Sequence, residues 1–304
     1  MQLLRELLIL IVFPGGLGLI LGGLAYEWAG RKLTARLQNR YGPRLIQPLA
    51  DLIKLLGKVE IVPVGVNPLL FHGLPLVALA GALTAGLYVP LAGLSPAYGF
   101  PGDLIVTVYL LSLLTLCTGL AGLITIGQFS RVGAARALTQ LFAYEAPLLL
   151  ALLGPALAAG TWQIGAINQA AAGTLFMVAQ PVGFVVALIG LMGKIELPPF
   201  DAPEAETEIV AGALTEYSGR GLAFFRLCRS VELLIGLTLI SAFFLGGVQE
   251  PISFLIKTLA LLTLTVGLRV LITRLRIDQT VLLWWRWGAL LMLLQILWIM
   301  VTKG

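Results

Sequence analysis

The chain has 304 residues, of which 59% are hydrophobic and only 12% charged, about half the charged share of an ordinary soluble domain. With a formal net charge of +5 and a mean hydropathy of +0.97, it has too little polar side chain to cover a water-soluble globule, which excludes that class. Cys117 and Cys228 fall in or beside apolar runs without flanking ligands, so they build no cluster, zinc site or disulfide framework.

A helix needs about 20 mostly apolar residues to cross roughly 30 Å of hydrocarbon. Eight stretches qualify, at about 6–26, 70–92, 104–126, 140–160, 175–194, 228–247, 252–272 and 282–301. The predicted fold is therefore an all-α, polytopic integral membrane protein, with residues 1–304 forming a single membrane domain of about eight transmembrane helices. The first stretch lacks a basic n-region and a small-residue cleavage site, so it reads as a retained helix rather than a signal peptide. Phe13-Pro14-Gly15-Gly16 inside it should kink or open the helix.

The first connection, about 27–69, carries Arg31, Lys32, Arg36, Arg40, Arg44, Lys54 and Lys58, and the third, 127–139, carries Arg131 and Arg136. The fifth, 195–227, has Lys194, Arg220, Arg226 and Arg229 in it or on its flanks. The seventh, 273–281, has Arg274 and Arg276 in it and Arg286 on its flank. Connections two, four and six have no Lys or Arg, so the odd-numbered loops are expected in the cytoplasm of a multi-pass cell-membrane protein, with both termini outside. These anchors account for the basic charge without nucleic acid, and no soluble basic patch is interleaved with aromatics.

In the first loop Gly42-Pro43 marks a turn. Beyond it, Leu49, Leu52, Ile53, Leu55 and Leu56 leave Asp51, Lys54 and Lys58 on other faces of a short amphipathic helix. Such a helix either lies on the membrane or docks a peripheral subunit. His72, the only histidine, is expected at a non-cytoplasmic helix end, and Asp103 is expected to N-cap the third span.

Glu145 sits in LTQLFAYEAPLLLALLG with Pro147 two residues on. The proline frees a carbonyl, and an intramembrane acid marks a pathway or a pairing. Glu145 thus reads as a proton- or ion-path residue or as a salt-bridge partner of Arg136 or Arg131. The fifth loop, KIELPPFDAPEAETEIVAGALTEYSGRG, holds Glu196, Asp201, Glu204, Glu206, Glu208 and Glu216, six of the fifteen acids. Pro198-Pro199 stops the preceding helix and Asp201 can cap a new turn. Interspersed Phe200, Ile209, Val210, Ala211 and Tyr217 imply packing, which raises carboxylate pKa values as a proton funnel requires. The alternative is an acidic interaction loop neutralised by nearby arginines. Glu232, three residues after Arg229, is either in the path or in an intrahelical ion pair. Lys257 and Arg269 lie near the ends of their span, where they can snorkel.

No nucleotide loop is present, since the glycine pairs at 15–16, 22–23 and 246–247 lie in spans. The residues point to proton or ion translocation powered by a redox or other source elsewhere. An autonomous ion or solute carrier is the rival, and it predicts paired halves that the sequence does not show.

Three segments carry a resemblance: RKLTARLQNRYGPRLIQPLADLIKLLGKVEIVP at 31–63, SRVGAARALTQLFAYEAP at 130–147 and KIELPPFDAPEAETEIVAGALTEYSG at 194–219. They resemble the signature segments of the respiratory complex I subunit 1 family (the H subunits of NADH-quinone oxidoreductases), which includes the membrane-anchor subunit of group 4 energy-converting NiFe hydrogenases and formate hydrogenlyases. ARLQNRYGP, MGKIELPPFD, LTEYSG and PGDLI are similar to the hydrogenase-type wording. The resemblance implies a non-catalytic subunit at the heel of a membrane arm, coupling a ferredoxin-linked redox module to proton or sodium translocation. Implied partners are a peripheral iron-sulfur small subunit, a NiFe-hydrogenase-like large subunit, antiporter-like and small membrane subunits, and lipid. It implies no cofactor in this chain, with the NiFe centre and iron-sulfur clusters in the partners. In the complex I branch the same region borders a quinone cavity, and a third branch is a nickel-free ferredoxin-driven complex. Arg36, Arg40, Arg44, Asp51, Lys54 and Tyr217 become candidates for docking the redox module. Glu145, Glu196, Asp201, Glu204, Glu206, Glu208, Glu216 and Glu232 become the proton path.

Overall fold

The computed structural model describes residues 2–303, with side chains from Glu6 to Val301, and every regular element among them is helical. In chain order these are α1 (Gln2–Ile11), α2 (Gly16–Leu37), α3 (Gln47–Leu56), α4 (Pro68–Gly86), α5 (Asp103–Ile124), α6 (Gln128–Ala159) and α7 (Ile164–Ala170). There follow α8 (Phe176–Ala179), α9 (Pro181–Lys194), α10 (Glu206–Ile209), α11 (Gly219–Phe244), α12 (Pro251–Leu271), α13 (Ile277–Leu282) and α14 (Leu290–Lys303). A π-helical turn, Leu283–Ala289, joins α13 to α14.

Seven segments are long and apolar enough to cross a membrane: Glu6–Leu37, Pro68–Gly86, Asp103–Ile124, Gln128–Ala159, Gly219–Phe244, Pro251–Leu271 and Ile277–Val301. The eighth predicted span is α8 followed by α9, broken at Gln180 and Pro181. The 14 residues of α9 reach only about 21 Å, short of the hydrocarbon thickness without the α8 turn in front. As the Phe13-Pro14-Gly15-Gly16 pattern predicts, the first span is interrupted between Ile11 and Gly16.

Two predicted loops are partly helix. α2 runs to Leu37 through the start of the 27–69 connection, and α6 begins at Gln128, so most of 127–139 is its first turns. The apolar-run criterion sees only the hydrocarbon-buried part of a helix. The 32 residues of α6 extend about 48 Å, and its polar first turns project beyond the bilayer.

α11 forms the centre of the molecule, with nearly every residue from Ser230 to Phe244 buried against α2, α4, α9 and α12. Breaks in helices leave donors and acceptors that lipid cannot satisfy. Side chains from distant helices meet several of them. Gln295 of α14 accepts the Gly183 N–H of α9 at 2.7 Å, and Asn168 of α7 bonds both N–H and C=O of Val248 at 2.7 and 3.2 Å. Lys257, expected to snorkel, donates to the carbonyl of Gly247 at 2.6 Å, just past the C-terminus of α11. Asp103 does not N-cap α5, where Gly102 holds that place. It is fully buried, and its Oδ1 accepts the Ile164 N–H at the start of α7 at 2.7 Å. The first turn of α5 thereby fixes a helix that composition assigned to no span.

Gln295→Leu leaves the Gly183 N–H without its partner. It should lower stability by about 1 kcal/mol, typical of interhelical hydrogen bonds in membranes, measured by unfolding of the purified protein in detergent against denaturant.

Candidate functional site

The acid loop after α9 folds back onto the projecting turns of α6. Gln140, fully buried on α6, donates from Nε2 to the carbonyls of Gly193 at 2.9 Å and Phe200 at 2.8 Å. Close approach follows at Gly133, where a Cβ would lie 2.3 Å from the backbone nitrogen of Ala213. Gly212 closes the same contact at φ +55°, a conformation glycine adopts without cost. Sequence reading missed both Gln140 and this glycine contact.

The loop's acids are distributed over three arginines. Arg274 grips Asp201 through Nε and Nη2 at 2.9 and 2.7 Å and approaches Glu208 at 3.6 Å. Arg136 donates to Glu208 at 2.8 Å and to the Ala202 carbonyl at 3.2 Å. Arg229, from the first half of α11, donates to both Glu196 and Glu204 at 2.6 Å. Asp201 therefore serves as an ion-pair partner rather than a helix cap. Among the described residues the intrahelical Arg229–Glu232 pair does not form, nor does Glu145 pair with Arg136 or Arg131, whose Nε instead donates to the Thr125 carbonyl.

Arginine neutralisation and raised pKa, set as alternatives for this loop, divide it between them. Arg136 holds the Glu208 carboxyl below the usual range. Burial pushes Glu196 the other way, up to about 7, with Glu204 adding to the rise and Arg229 opposing it. Glu196 also adopts φ +51°, left-handed backbone that is uncommon outside glycine. That turn places its carboxylate at 5% exposure beneath the loop.

Deeper in the membrane lies a second group. Glu232 of α11 is 1% exposed, and neither carboxylate oxygen has a hydrogen-bond partner. It shares with Lys194, at the end of α9, a cavity of about 20 Å³ whose other lining residues are apolar, space for about one water. Lys194 Nζ donates to Ser112 Oγ at 3.1 Å, and Ser112 Oγ donates to Glu145 Oε1 at 2.7 Å. Tyr144 lies beside this chain of contacts, its hydroxyl 3.2 Å from Thr115 Oγ1 and its ring beneath the Lys194 ammonium. Glu145 is half-buried, and it stands 17 positions into α6, about 26 Å along the axis and well inside the bilayer. Lys194 appeared in the sequence only as a span-edge cation and Ser112 gave no signal, because their meeting depends on how α5 and α9 each pack on α6.

Not every expected acid joins this arrangement. Glu206 is exposed, and Glu216 is half-buried near Gly127 at the start of α6. Glu60, which sequence reading passed over, lies in the first connection 3.4 Å from His72 and accepts the Gly221 N–H at 3.2 Å. His72 therefore sits at the acid-loop end of the molecule, contrary to expectation. It opens α4 directly after the basic connection, so it shares that connection's side.

On the expected docking surface, Arg36, Arg40, Arg44 and Lys54 are exposed. Arg36 stands over the ring of Tyr41, which is 96% exposed. Asp51 is engaged by Arg31 at 3.0 Å and Gln47 at 2.9 Å. Tyr217 offers no surface: at 4% exposure it stacks on Phe71 and donates to the Phe71 carbonyl at 3.2 Å. Of the two readings the sequence gives Tyr217, packing and docking, the structure takes the first: its ring fills the space under the loop. Among the described residues no group of three His, Cys, Asp or Glu side chains could hold a metal ion, and Cys117 and Cys228 are buried and free.

Two outcomes follow from this geometry. Gln140→Ala removes the donor from two loop carbonyls, at about 1–3 kcal/mol for buried groups left unpaired. Amide hydrogen exchange across 194–201 should accelerate about tenfold or more. The Glu196 carboxyl, with a usual value of 4.5 raised to about 7, keeps a proton in the folded state that the unfolded chain releases between those values. Its contribution to stability therefore falls as pH rises through that window. A protonated-carboxyl infrared band titrating near 7 should vanish in Glu196→Gln.

Residues 8–301 match the profile of the family described as NADH dehydrogenase. The chain is 34% identical over 301 residues to the NADH-quinone oxidoreductase H subunit of Thermomicrobium roseum, covering 89% of this chain and 88% of that protein. Against the NADH-quinone oxidoreductase H subunit numbered 2 in Geobacter sulfurreducens it is 35% identical over 290 residues, again covering 89% and 88%. Its fold superposes with a TM-score of 0.85, at 24% identity and covering 98% and 99% of the two chains, on a chain from the membrane-bound sulfane sulfur reductase, an archaeal respiratory membrane complex. The chain belongs to the NADH dehydrogenase family of membrane subunits, the family of the NADH-quinone oxidoreductase H subunits.

Proposed function

We propose that this chain is a non-catalytic membrane subunit that couples a peripheral redox module to translocation of protons or sodium ions. The observation that carries the reading is a file of titratable groups descending from the loop into the membrane. It runs from Asp201 and Glu208 through Glu204, Arg229 and Glu196 to Glu232 and Lys194, then by Ser112 to Glu145. Carboxylates in water-poor surroundings hold protons near neutrality and respond to a nearby change of charge. A redox event above the loop alters the field at Glu204 and Glu196, and proton occupancy then shifts towards Glu232 and Glu145.

Glu145 remains half exposed deep in α6. A charge facing lipid there costs about 3 kcal/mol, so in the assembly its open side meets a neighbouring membrane subunit that takes the proton onward. The basic residues of the odd-numbered connections support a cytoplasmic position for the acid loop. There Arg36, Arg40, Arg44 and Lys54 surround the docking face.

The hydrogenase-type wording of ARLQNRYGP, MGKIELPPFD and LTEYSG supports a ferredoxin-linked module with an iron-sulfur small subunit and a NiFe-type large subunit. Antiporter-like subunits would complete the arm. The names of the curated relatives favour a second reading, a quinone-linked complex. Nickel co-purifying with the large subunit is the outcome expected of the first; inhibitor-sensitive quinone reduction without nickel would replace it with the second.

Glu145→Gln keeps the shape of the side chain and removes its proton. In vesicles reconstituted with the whole complex, redox turnover should persist while ion gradient formed per turnover falls roughly 100-fold, the low end for loss of a positioned proton carrier. Unchanged coupling would remove Glu145 from the path.

A further inference from the structure

Against α6, α13 and the π-helical turn leave an open groove of about 650 Å³. Its floor is apolar, built from Ile277, Val281, Leu282 and Trp285, and its only charged lining residues are Asp278 and Arg286. The groove lies at the acid-loop end. Thr139, on its α6 wall, is one turn from Arg136, and Ile277 follows closely on Arg274.

Three observations say what covers it. Trp285 and Trp287 are each more than half exposed on this segment, the placement of indoles at a membrane interface. Arg286 lies nine residues into the Ile277–Val301 span, about 13 Å along the helix; it is exposed, with its guanidinium 5.8 Å from the Trp287 ring centroid, and neither it nor Asp278 forms an ion pair among the described residues. A long side chain on a helix can reach back towards the N-terminus, the direction in which Asp278 lies along the same groove. A cation and an anion, neither of them in an ion pair among the described residues, thus line one open apolar groove.

We propose that this groove binds a glycerophospholipid with a phosphoethanolamine headgroup. Arg286 takes the phosphate, which guanidinium N–H groups match geometrically, and Asp278 accepts from the primary ammonium. One acyl chain lies along Val281, Leu282 and Trp285. A glycerol headgroup brings no cation to Asp278, and a choline headgroup brings a cation without an N–H to donate. An apolar helix of a neighbouring subunit would strand both charges.

The test uses the intact complex in detergent with a phosphatidylethanolamine bearing a photoactivatable acyl chain, and maps the cross-links by peptide mass spectrometry. Labelling should fall within 277–286. Unlabelled phosphatidylethanolamine should compete at about one-tenth the concentration needed with phosphatidylcholine or phosphatidylglycerol, the ratio that one charge-assisted hydrogen bond supplies. Arg286→Gln should weaken labelling about tenfold, and Asp278→Asn should erase the headgroup preference while leaving labelling. Should either variant fail to assemble, the three-way competition on the unaltered complex decides alone. Equal competition by all three lipids, absence of label in 277–286, or a zero-length cross-link from this segment to another subunit in place of lipid label would overturn the assignment.

Discussion

Arg229 holds two carboxylates, Glu196 and Glu204, at 2.6 Å each where the acid loop meets the central helix, and the arrangement of everything below that point depends on this clamp. Removing two carboxylates and a guanidinium from water costs several kcal/mol per ion, regained only when the geometry is good and the remaining groups are bonded. Two further attachments hold the loop in place. Arg274 grips Asp201 at one edge, and Gln140 pins the loop's entry and its Phe200 turn to α6. With the loop seated, Glu196 stays dry beneath it, and Lys194 is pointed into the bundle towards Glu232 and Ser112. If Arg229 let go, both acids would have to find water or protons, and the loop would have no reason to lie flat on the bundle.

The interrupted helices belong to the same logic. A continuous fifth span would carry its C-terminal turn deeper or shallower along α6, because helix rise fixes where each residue falls. Breaking it at Gln180 and Pro181 lets α9 start afresh, with its exposed donors met in part by Gln295. Its last turn then delivers Lys194 beside Ser112. Local disruption of one span is thereby exchanged for placement of a buried cation.

Much of this architecture was legible because the bilayer imposes lengths and charge asymmetry on any chain that crosses it. Apolar runs located the spans, the FPGG interruption located the first break, and the acid loop announced itself by density. What escaped was every choice between a near partner and a distant one. Arg229 and Glu232 stand three apart on one helix, so sequence spacing pairs them. The structure sends Arg229 instead to Glu196 and Glu204, 33 and 25 positions away. Asp103 caps a helix 61 positions off, and Tyr217 turns inward to stack on Phe71. Helical periodicity names only neighbours on the same cylinder, whereas these contacts are set by which cylinders touch. Lys194 was visible and Ser112 was not for the same reason: a hydroxyl among apolar residues has no distinguishing pattern until the ammonium and the carboxylate close on it.

The file of charged groups is not a continuous wire. Among the described residues no direct hydrogen bond joins the arginine clamp to Glu232, and Glu232 itself has two buried oxygens without partners beside a cavity of about 20 Å³. An unpaired buried carboxylate is costly when ionised, which makes this break the weakest link of the proposed path. Lys194 lies at the same break. Its ammonium faces Glu232 from across the cavity, yet its hydrogen bond commits it to Ser112 and, through Ser112, to Glu145. In the proposed path, Lys194 thus stands between the two acids, one turn of α11 below the clamp at Arg229.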